Sequence, residues 1–245
     1  KLAENRTYAQ NIALSDRWDY LASMSNNFAF CLAVEKIMKV QVPERAEYIR
    51  VLVTELNRIA SHLVLFGTYG VDIGAVTPFM YAFREREMIL DLFESICGAR
   101  MTYNYFRIGG VLTDLPEGFL KKLEEFIQWF KKRLPEYDDL LSYNVVFLDR
   151  TKNIGILKKE DAIDYGVTGP NLRASGMQFD IRKNDTYSIY SKFDFEVPVG
   201  GQGDCWDRYY IRIKEMRESI KIIEQILSKL PDGEICTKVP KILRP

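Results

Sequence analysis

Long helical stripes most limit what this 245-residue chain can fold into. Apolar side chains recur every three or four positions along three stretches, a spacing that puts them on one face of an α-helix. The stripes are Ile49, Leu52, Leu56, Ile59, Leu63 and Phe66; Phe119, Leu123, Phe126, Phe130 and Leu134; and Trp206, Tyr210, Ile213, Met216, Ile220, Ile223, Leu227 and Leu230. Stripes this regular pack against one another, so a mainly α bundle of long helices is predicted.

Short signals beside the stripes predict the helix boundaries. Thr77 can cap a helix, Pro78 suits the first helical position, and Gly98 suits the end of a helix. Ser15 and Asp16 offer a cap for an earlier helix. Together with the periodicity, these signals predict helices over residues 15–39, 43–67, 78–97, 119–134 and 204–230.

Residues 153–203 interrupt the helical pattern. Glycine and proline punctuate this segment, and aromatic residues partly alternate with polar ones, which indicates loops with short strands or turns. The segment has neither GxGxxG after a strand nor GxxxxGK, so nucleotide binding is not indicated. We therefore predict one helical domain over residues 1–245 with an irregular insertion over residues 153–203.

A glycine-rich loop is predicted between Gly67 and Thr77. Its residues are mostly glycine or apolar, and Asp72 is its only carboxylate. Burying a lone acid among such neighbours is unfavourable unless something satisfies it. We interpret the loop as one wall of a pocket between helices, suited to an apolar ligand with a polar head. Asp72 can orient a donor or accept a proton there, and the phenol of Tyr8 can donate a hydrogen bond.

Composition excludes several classes of partner. Lys and Arg together number 34 and Asp and Glu together also number 34, so no net charge attracts nucleic acid or acidic lipid. The four cysteines are scattered without a CxxC pair, so no self-contained zinc or iron–sulfur site is predicted, and a reducing compartment is favoured. No apolar run reaches the roughly 18–20 residues that span a bilayer.

His62 is the only histidine. A lone helical histidine is more often a hydrogen-bonded structural group than a ligand or a base, and no cysteine or second histidine stands at ligand spacing. A Ser/His/Asp arrangement would have to use His62, yet no Gly-x-Ser-x-Gly sequence accompanies it. We favour the structural interpretation, with a catalytic or ligand role as the alternative.

Many ordered blocks of the sequence resemble one known family. The blocks include Lys1–Tyr8, Asp19–Leu21, Ala33–Lys36, Pro43–Ala46, Arg58–His62, Asp72–Ala75, Thr77–Phe79, Arg84–Glu87, Arg107–Val111, Leu172–Gly176 and Asp180–Lys183. They resemble the 49-kDa component of respiratory complex I, which has a plastid relative in the NDH complex and is related to the large subunit of [NiFe] hydrogenases. The similarity covers essentially the whole chain and implies the hydrogenase large-subunit type of helical bundle.

The resemblance implies a quinone-site role. Members of this family hold no redox cofactor, are not active alone, and form with the iron–sulfur subunit the cavity where quinone is reduced. Tyr8 matches a tyrosine that hydrogen-bonds the quinone headgroup, and Asp72 matches an acid that partners a headgroup histidine from a segment before Lys1. The residues that the resemblance places in the quinone pocket are Thr68, Gly70, Gly74 and Met80.

The resemblance also implies partners and a location. The iron–sulfur partner, which is B-like, carries a [4Fe–4S] cluster, and Arg100, Thr102 and Arg107 are expected close to it. Further expected partners are C-like and I-like peripheral proteins and an H-like membrane protein of the same complex. The assembly would be an NAD(P)H- or ferredoxin:quinone oxidoreductase, with this chain peripheral on the cytoplasmic, matrix or stromal side of its membrane.

Two departures from the related patterns bear on function. Hydrogenases have Arg-x-Cys-Gly-x-Cys where this chain has residues 17–22, so Asp19 and Ala22 replace thiolate ligands and nickel binding is not expected. Many members of the family have a histidine where this chain has Thr102, which does not titrate. We therefore expect a partner cluster whose potential depends less on pH. The alternative function is a scaffold component of a related membrane-bound, hydrogenase-like complex without quinone contact.

Overall fold

The computed structural model describes residues 1–240. Ten α-helices and one two-stranded sheet lie within those residues. The helices α1 to α10 are Tyr8–Ser15, Ser23–Met38, Glu44–Asp72, Thr77–Cys97, Phe119–Tyr137, Val145–Thr151, Lys159–Asp164, Gly169–Ala174, Ile181–Asn184 and Cys205–Lys229, and the strands β1 and β2 are Phe106–Arg107 and Gly110–Val111. The predicted mainly α fold is confirmed, whereas the likeness to hydrogenase large subunits stays a prediction.

The chain divides into two compact units. The first contains residues 1–61, 87–124 and those from 223 onward, and the second contains residues 62–86 and 125–222. Four of the long helices, α3, α4, α5 and α10, contribute residues to both units. The predicted single-domain organisation stays a prediction, and each unit is described by itself.

In the first unit, the helix predicted over residues 15–39 is wrong in its first part. Ser15 ends α1, and a turn over residues 16–22 separates α1 from α2. The hydroxyl of Ser15 donates to the carbonyl of Ile12 at 2.8 Å, and the hydroxyl of Ser23 donates to the carbonyl of Asp16 at 3.0 Å. Serine side chains that bond nearby carbonyls compete with helix continuation, which explains the break.

The break predicted at residues 107–110 is a β-hairpin. β1 and β2 are antiparallel, with Phe106 opposite Val111, and Phe106 stacks on Phe28 of α2 with ring centroids 5.2 Å apart. On its other edge the hairpin meets the chain near Cys236, which forms a bridge with Gly110. The hairpin is therefore enclosed on both sides within the first unit.

A buried ion pair holds the hairpin by its backbone. Arg50 of α3 is fully buried and donates to the carbonyls of Arg107 at 2.7 Å and Gly110 at 3.0 and 3.1 Å. Glu35 of α2 accepts from Arg50 at 2.5 and 3.0 Å and from the N–H of Gly109 at 2.6 Å. Bidentate pairing of this kind is strong and geometrically specific, so it fixes where the hairpin lies.

In the second unit, α3 continues five residues beyond Gly67, so the predicted end at Gly67 is wrong. A Cβ on Gly67 would lie 3.0 Å from the backbone of Phe79, and one on Gly70 would lie 3.1 Å from the ring of Pro78. Glycine weakens an isolated helix by roughly 1 kcal/mol relative to alanine. Here the two glycines let α3 and α4 approach closely, and this packing outweighs the low propensity. Asp72 is consequently the last residue of a helix.

His62 is buried and hydrogen-bonded, as predicted. Its Nε2 lies 2.7 Å from a carboxylate oxygen of Glu215, whose other oxygen accepts from Arg173 at 2.7 Å. Arg173 also lies 3.8 Å from Asp180, which forms a 2.6 Å ion pair with Arg182. Burial by itself raises the pKa of Asp180, but Arg182 and then Arg173 hold it below the usual range. A chain of alternating charges therefore runs through the second unit.

Residues 153–203 contain short helices, so the strands predicted there are wrong. This segment, all of which the structure describes, holds α7, α8, α9 and a 3₁₀ turn at Tyr190–Lys192. Gly166 and Gly176 follow helices with φ of 66° and 86°, a conformation that favours glycine and stops a helix. The glycine-rich composition therefore reflects frequent helix ends rather than strand-connecting turns.

Candidate functional site

Asp72 lies where a carboxylate does not stabilise a helix. It is the last residue of α3, where the backbone carbonyls present partial negative charge, and its side chain is exposed. Its carboxylate makes no hydrogen bond or ion pair with the residues that the structure describes. The next turn is held by Arg150, which donates to the carbonyl of Ile73 at 2.9 Å. Asp72 is thus presented outward from a fixed backbone.

Four other predicted pocket residues surround this turn within the second unit. Thr68 is exposed, but its hydroxyl donates to the carbonyl of Val64 at 2.9 Å within α3. Gly70 is buried against α4, whereas Gly74 is exposed with φ of 92° and open space where a Cβ would lie. Met80, in the first turns of α4, is 62% exposed. The structure therefore brings these residues together with Asp72 at one end of α3.

The surroundings of Asp72 are apolar although they face outward. Val71 and Val76 are 42% and 56% exposed, in addition to Met80. Exposed apolar side chains of this size, grouped around a lone carboxylate, are typical of a surface that binds a ligand or another protein. This arrangement agrees with the apolar wall and polar head group expected from the sequence.

In the first unit, Tyr8 is the first residue of α1 and is half-buried. Its hydroxyl makes no hydrogen bond with the described residues. Sequence reasoning missed a second aromatic group, the turn over residues 16–22, where Trp18 and Tyr20 are 68% and 57% exposed. The signal that could have found it is a pair of large aromatic residues within a polar stretch that contains Asp19.

The turn over residues 16–22 is fixed although its aromatic side chains are exposed. Asp19 accepts from the N–H of Leu21 at 3.2 Å, and Asn57 of α3 donates to the carbonyl of Leu21 at 3.3 Å while accepting from the N–H of Met24 at 3.2 Å. Asn57 is buried. The turn is therefore a rigid mount for Trp18 and Tyr20 rather than a loose loop.

The three residues expected near the iron–sulfur partner also belong to the first unit. Arg100 is held by acids of α4, with 2.7 Å to Asp91 and an ion pair to Glu87. Thr102 is half-buried with φ of 53°. Arg107 is half-buried, and its burial lowers its pKa. Arg100 is thus committed to partners within its own chain, while Thr102 and Arg107 lie on one connected loop and hairpin.

Asp16 is a buried carboxylate that the sequence did not single out as a site. Its Oδ2 accepts from the N–H of Asn104 at 2.8 Å. Burial raises the pKa of Asp16 to about 6, an effect that the hydrogen bond from Asn104, the neighbouring Asn27 and the charges of Arg17 and Arg107 only partly offset. A carboxyl that titrates this close to neutrality is a candidate functional group.

The second unit also contains a cavity of about 350 Å³. The residues that line it are Tyr81, Arg84, Arg133, Glu136, Asp139 and Leu140. None of the predicted pocket residues is among them. Its two guanidinium groups and two carboxylates make it a charged cavity, unlike the apolar pocket that was expected.

A mainly helical chain that presents an acid and aromatic groups outward is the kind of protein that supplies part of a site to a larger assembly. Comparison with known proteins gives this class a family. Residues 72–245 match the family model of the respiratory-chain NADH dehydrogenase 49 Kd subunit. The chain therefore belongs to this family, and the resemblance inferred from the sequence is confirmed.

The relatives extend over the whole chain. It is 54% identical over 245 residues to the D-type component of the NADH-quinone oxidoreductase of Bacillus cereus (strain ATCC 10987 / NRS 248). It is 53% identical to the protein of the same name from Bacillus mycoides (strain KBAB4) and 52% identical to that from Bacillus anthracis. In each comparison all of this chain aligns with 67% of the relative's length.

None of the described helices combines the length and the apolar character that crossing a bilayer requires.

Proposed function

We propose that this chain is the quinone-site subunit of an NADH:quinone oxidoreductase of the complex I type. The family membership and the name shared by its relatives support a component of such an enzyme. The observation that carries the quinone role is Asp72, an exposed and unpaired acid at the negative end of α3 among exposed apolar side chains of the described residues. A quinone, with a polar headgroup and an apolar tail, matches this chemistry.

Asp72 acts with a partner from outside the described chain. A carboxylate hydrogen-bonded to an imidazole orients it and favours its protonated form. In the proposal, Asp72 holds the histidine that donates to the quinone headgroup, and Thr68, Gly70, Gly74 and Met80 form the adjacent wall. The reaction is completed by the [4Fe–4S] cluster of the iron–sulfur partner, so this chain binds and orients the acceptor and is not active alone.

Replacing Asp72 by Asn is expected to lower quinone reduction by the assembled complex about tenfold or more, since a group that positions a proton donor contributes at least this factor. The measurement is NADH oxidation with a short-chain quinone, compared with an artificial acceptor that bypasses the quinone site. Asp164→Asn, an exposed acid on α7, is the matched control. Quinone reduction within twofold of wild type would favour the scaffold alternative, in which the chain makes no quinone contact.

The hydroxyl that donates to the headgroup can be assigned by paired variants. Tyr8→Phe is expected to lower quinone reduction about three- to tenfold without preventing assembly, because one neutral hydrogen bond contributes roughly 0.5–1.5 kcal/mol. Tyr20→Phe is the competing assignment, since the ring of Tyr20 is more exposed. Tyr165→Phe, at 82% exposure on the other unit, is the control. A loss seen only with Tyr20→Phe shows that the assignment to Tyr8 is wrong.

The proposed partners follow from the same assembly. Arg107 and Thr102 face the iron–sulfur partner, and C-like, I-like and H-like proteins complete the surroundings, with this chain peripheral on the cytoplasmic, matrix or stromal side of the membrane. Because Thr102 does not titrate, the potential of the partner's cluster is expected to vary little with pH. A potentiometric titration of the complex that shows a steep pH slope would refute this expectation.

A further inference from the structure

The buried carboxylate of Asp16 connects two segments of the first unit. It stands at the start of the turn that carries Trp18 and Tyr20, and its Oδ2 accepts from the backbone N–H of Asn104 at 2.8 Å. Its Oδ1 is buried and has no hydrogen-bond partner among the described residues. The side chain of Asn27 lies nearby, but its amide hydrogens go to Ile12 and Ser15. Asp16 therefore spends one oxygen on the loop and leaves the other unsatisfied.

The loop that Asp16 holds is strained. Thr102 and Asn104 have φ of 53° and 45°, and such left-handed conformations of non-glycine residues cost of order 1–3 kcal/mol each. Two groups oppose the release of this strain. One is Asp16, and the other is Arg107, which donates to the carbonyl of Asn104 at 2.6 Å and to its side-chain oxygen at 3.3 Å. The loop needs these contacts to keep its conformation.

The charges that face Asp16 are few. Arg17, on its own turn, and Arg107, on β1, both favour the ionised carboxylate. The other titratable neighbours are the thiols of Cys31 on α2 and Cys97 on α4. Burial raises the pKa of both thiols, so they stay neutral near pH 7. The surroundings therefore do not fully compensate the charge of a buried Asp16.

We propose that Asp16 is a positioning residue that couples the strained 102–104 segment to the turn over residues 16–22, and that the binding of a proton to Asp16 tightens this coupling. Opening the segment exposes the carboxylate to water, where its ionised form is favoured. The buried arrangement favours the protonated form. Ionisation therefore loosens the two segments and protonation closes them. The link to quinone reduction, through Tyr20 and Arg107, rests on the proposed function.

The size of the effect follows from linkage. With a pKa of about 6 when buried and 3.8 when exposed, the closed form gains relative to the open form as the pH falls through 6. Between pH 8 and pH 5 the ratio of closed to open is expected to rise about tenfold. Below pH 3.8 no further gain is expected.

Hydrogen exchange of the assembled complex, containing the full-length protein, tests this coupling. Amides of residues 102–105, corrected for intrinsic exchange rates, are expected to be about tenfold better protected at pH 5 than at pH 8. Asp16→Asn keeps an oxygen that can accept from Asn104 but cannot titrate, so its protection is expected to be independent of pH. Asp232→Asn, an exposed acid of the first unit, is expected to behave as wild type.

Two outcomes overturn the proposal: pH-independent protection in the wild-type complex, or an unchanged pH dependence in Asp16→Asn. The wild-type series decides the matter by itself if Asp16→Asn does not assemble. The pH profile of quinone reduction is recorded with the same samples. Exchange that follows the expectation while this profile is identical in both complexes upholds the coupling and locates the failure in the proposed function.

Discussion

Arg50→Met is expected to lower the free energy of unfolding of the full-length protein by about 3–5 kcal/mol, because it leaves the charge of Glu35 buried without a partner. Both side chains are buried, and Glu35 would keep only the N–H of Gly109 as a donor. The carbonyls of Arg107 and Gly110 would lose their guanidinium donor as well. Methionine has a similar length, so the loss reflects charge and hydrogen bonds rather than an empty volume.

Urea unfolding measures this loss, and two further variants make it specific. Lys36→Met, next to Glu35 on α2 but exposed, is expected to change stability by no more than about 0.5 kcal/mol. The double variant Glu35→Leu with Arg50→Met removes both charges and is expected to be more stable than Arg50→Met alone. If Arg50→Met unfolds at the same urea concentration as Lys36→Met, the pair does not hold the hairpin.

Gly110→Ala is expected to disrupt the hairpin strongly as well, by at least about 3 kcal/mol. A Cβ at this position would lie 2.0 Å from the carbonyl oxygen of Ile235 and 2.6 Å from the Cα of Cys236. Both are backbone atoms, so no side-chain rotation relieves the clash. The hydrogen bond from Val111 to Ile235, at 2.9 Å, would be lost when the segments separate.

The matched control for this substitution is Gly201→Ala. Nothing lies within 4 Å of a Cβ there, and its φ is not in the region that favours glycine. Its stability is expected to stay within about 0.5 kcal/mol of wild type. Equal midpoints of thermal unfolding for the two alanine variants would show that the chain near Ile235 moves away freely and does not clamp Gly110.

The long helices could be predicted because their apolar stripes alone require burial. Their ends could not, where a contact distant in sequence decides the outcome. The extension of α3 to Asp72 depends on Gly67 and Gly70 packing against α4, which single-residue propensity counts as unfavourable. The turn over residues 16–22 depends on local bonds from Ser15 and Ser23 that compete with the helix.

The candidate site was predictable only in part. Asp72 stood out because a carboxylate among glycine and apolar residues needs an explanation, and the structure places it on an apolar surface. Its position at the end of a helix, rather than within a loop, was missed. Asp16 gave no signal, since its burial and its partner Asn104, 88 positions away, exist only after folding. Tyr20 was overlooked because an exposed aromatic residue has no periodicity.

The boundary between the two units falls inside helices rather than in linkers. It divides α3 after Ser61, α4 after Arg86, α5 after Glu124 and α10 after Ile222. Neither unit can be cut out without truncating four helices in mid-course and exposing their unpaired backbone groups. Gene fusion or exchange during evolution must therefore have moved both units together, and a fragment of either one is not expected to fold as an independent module.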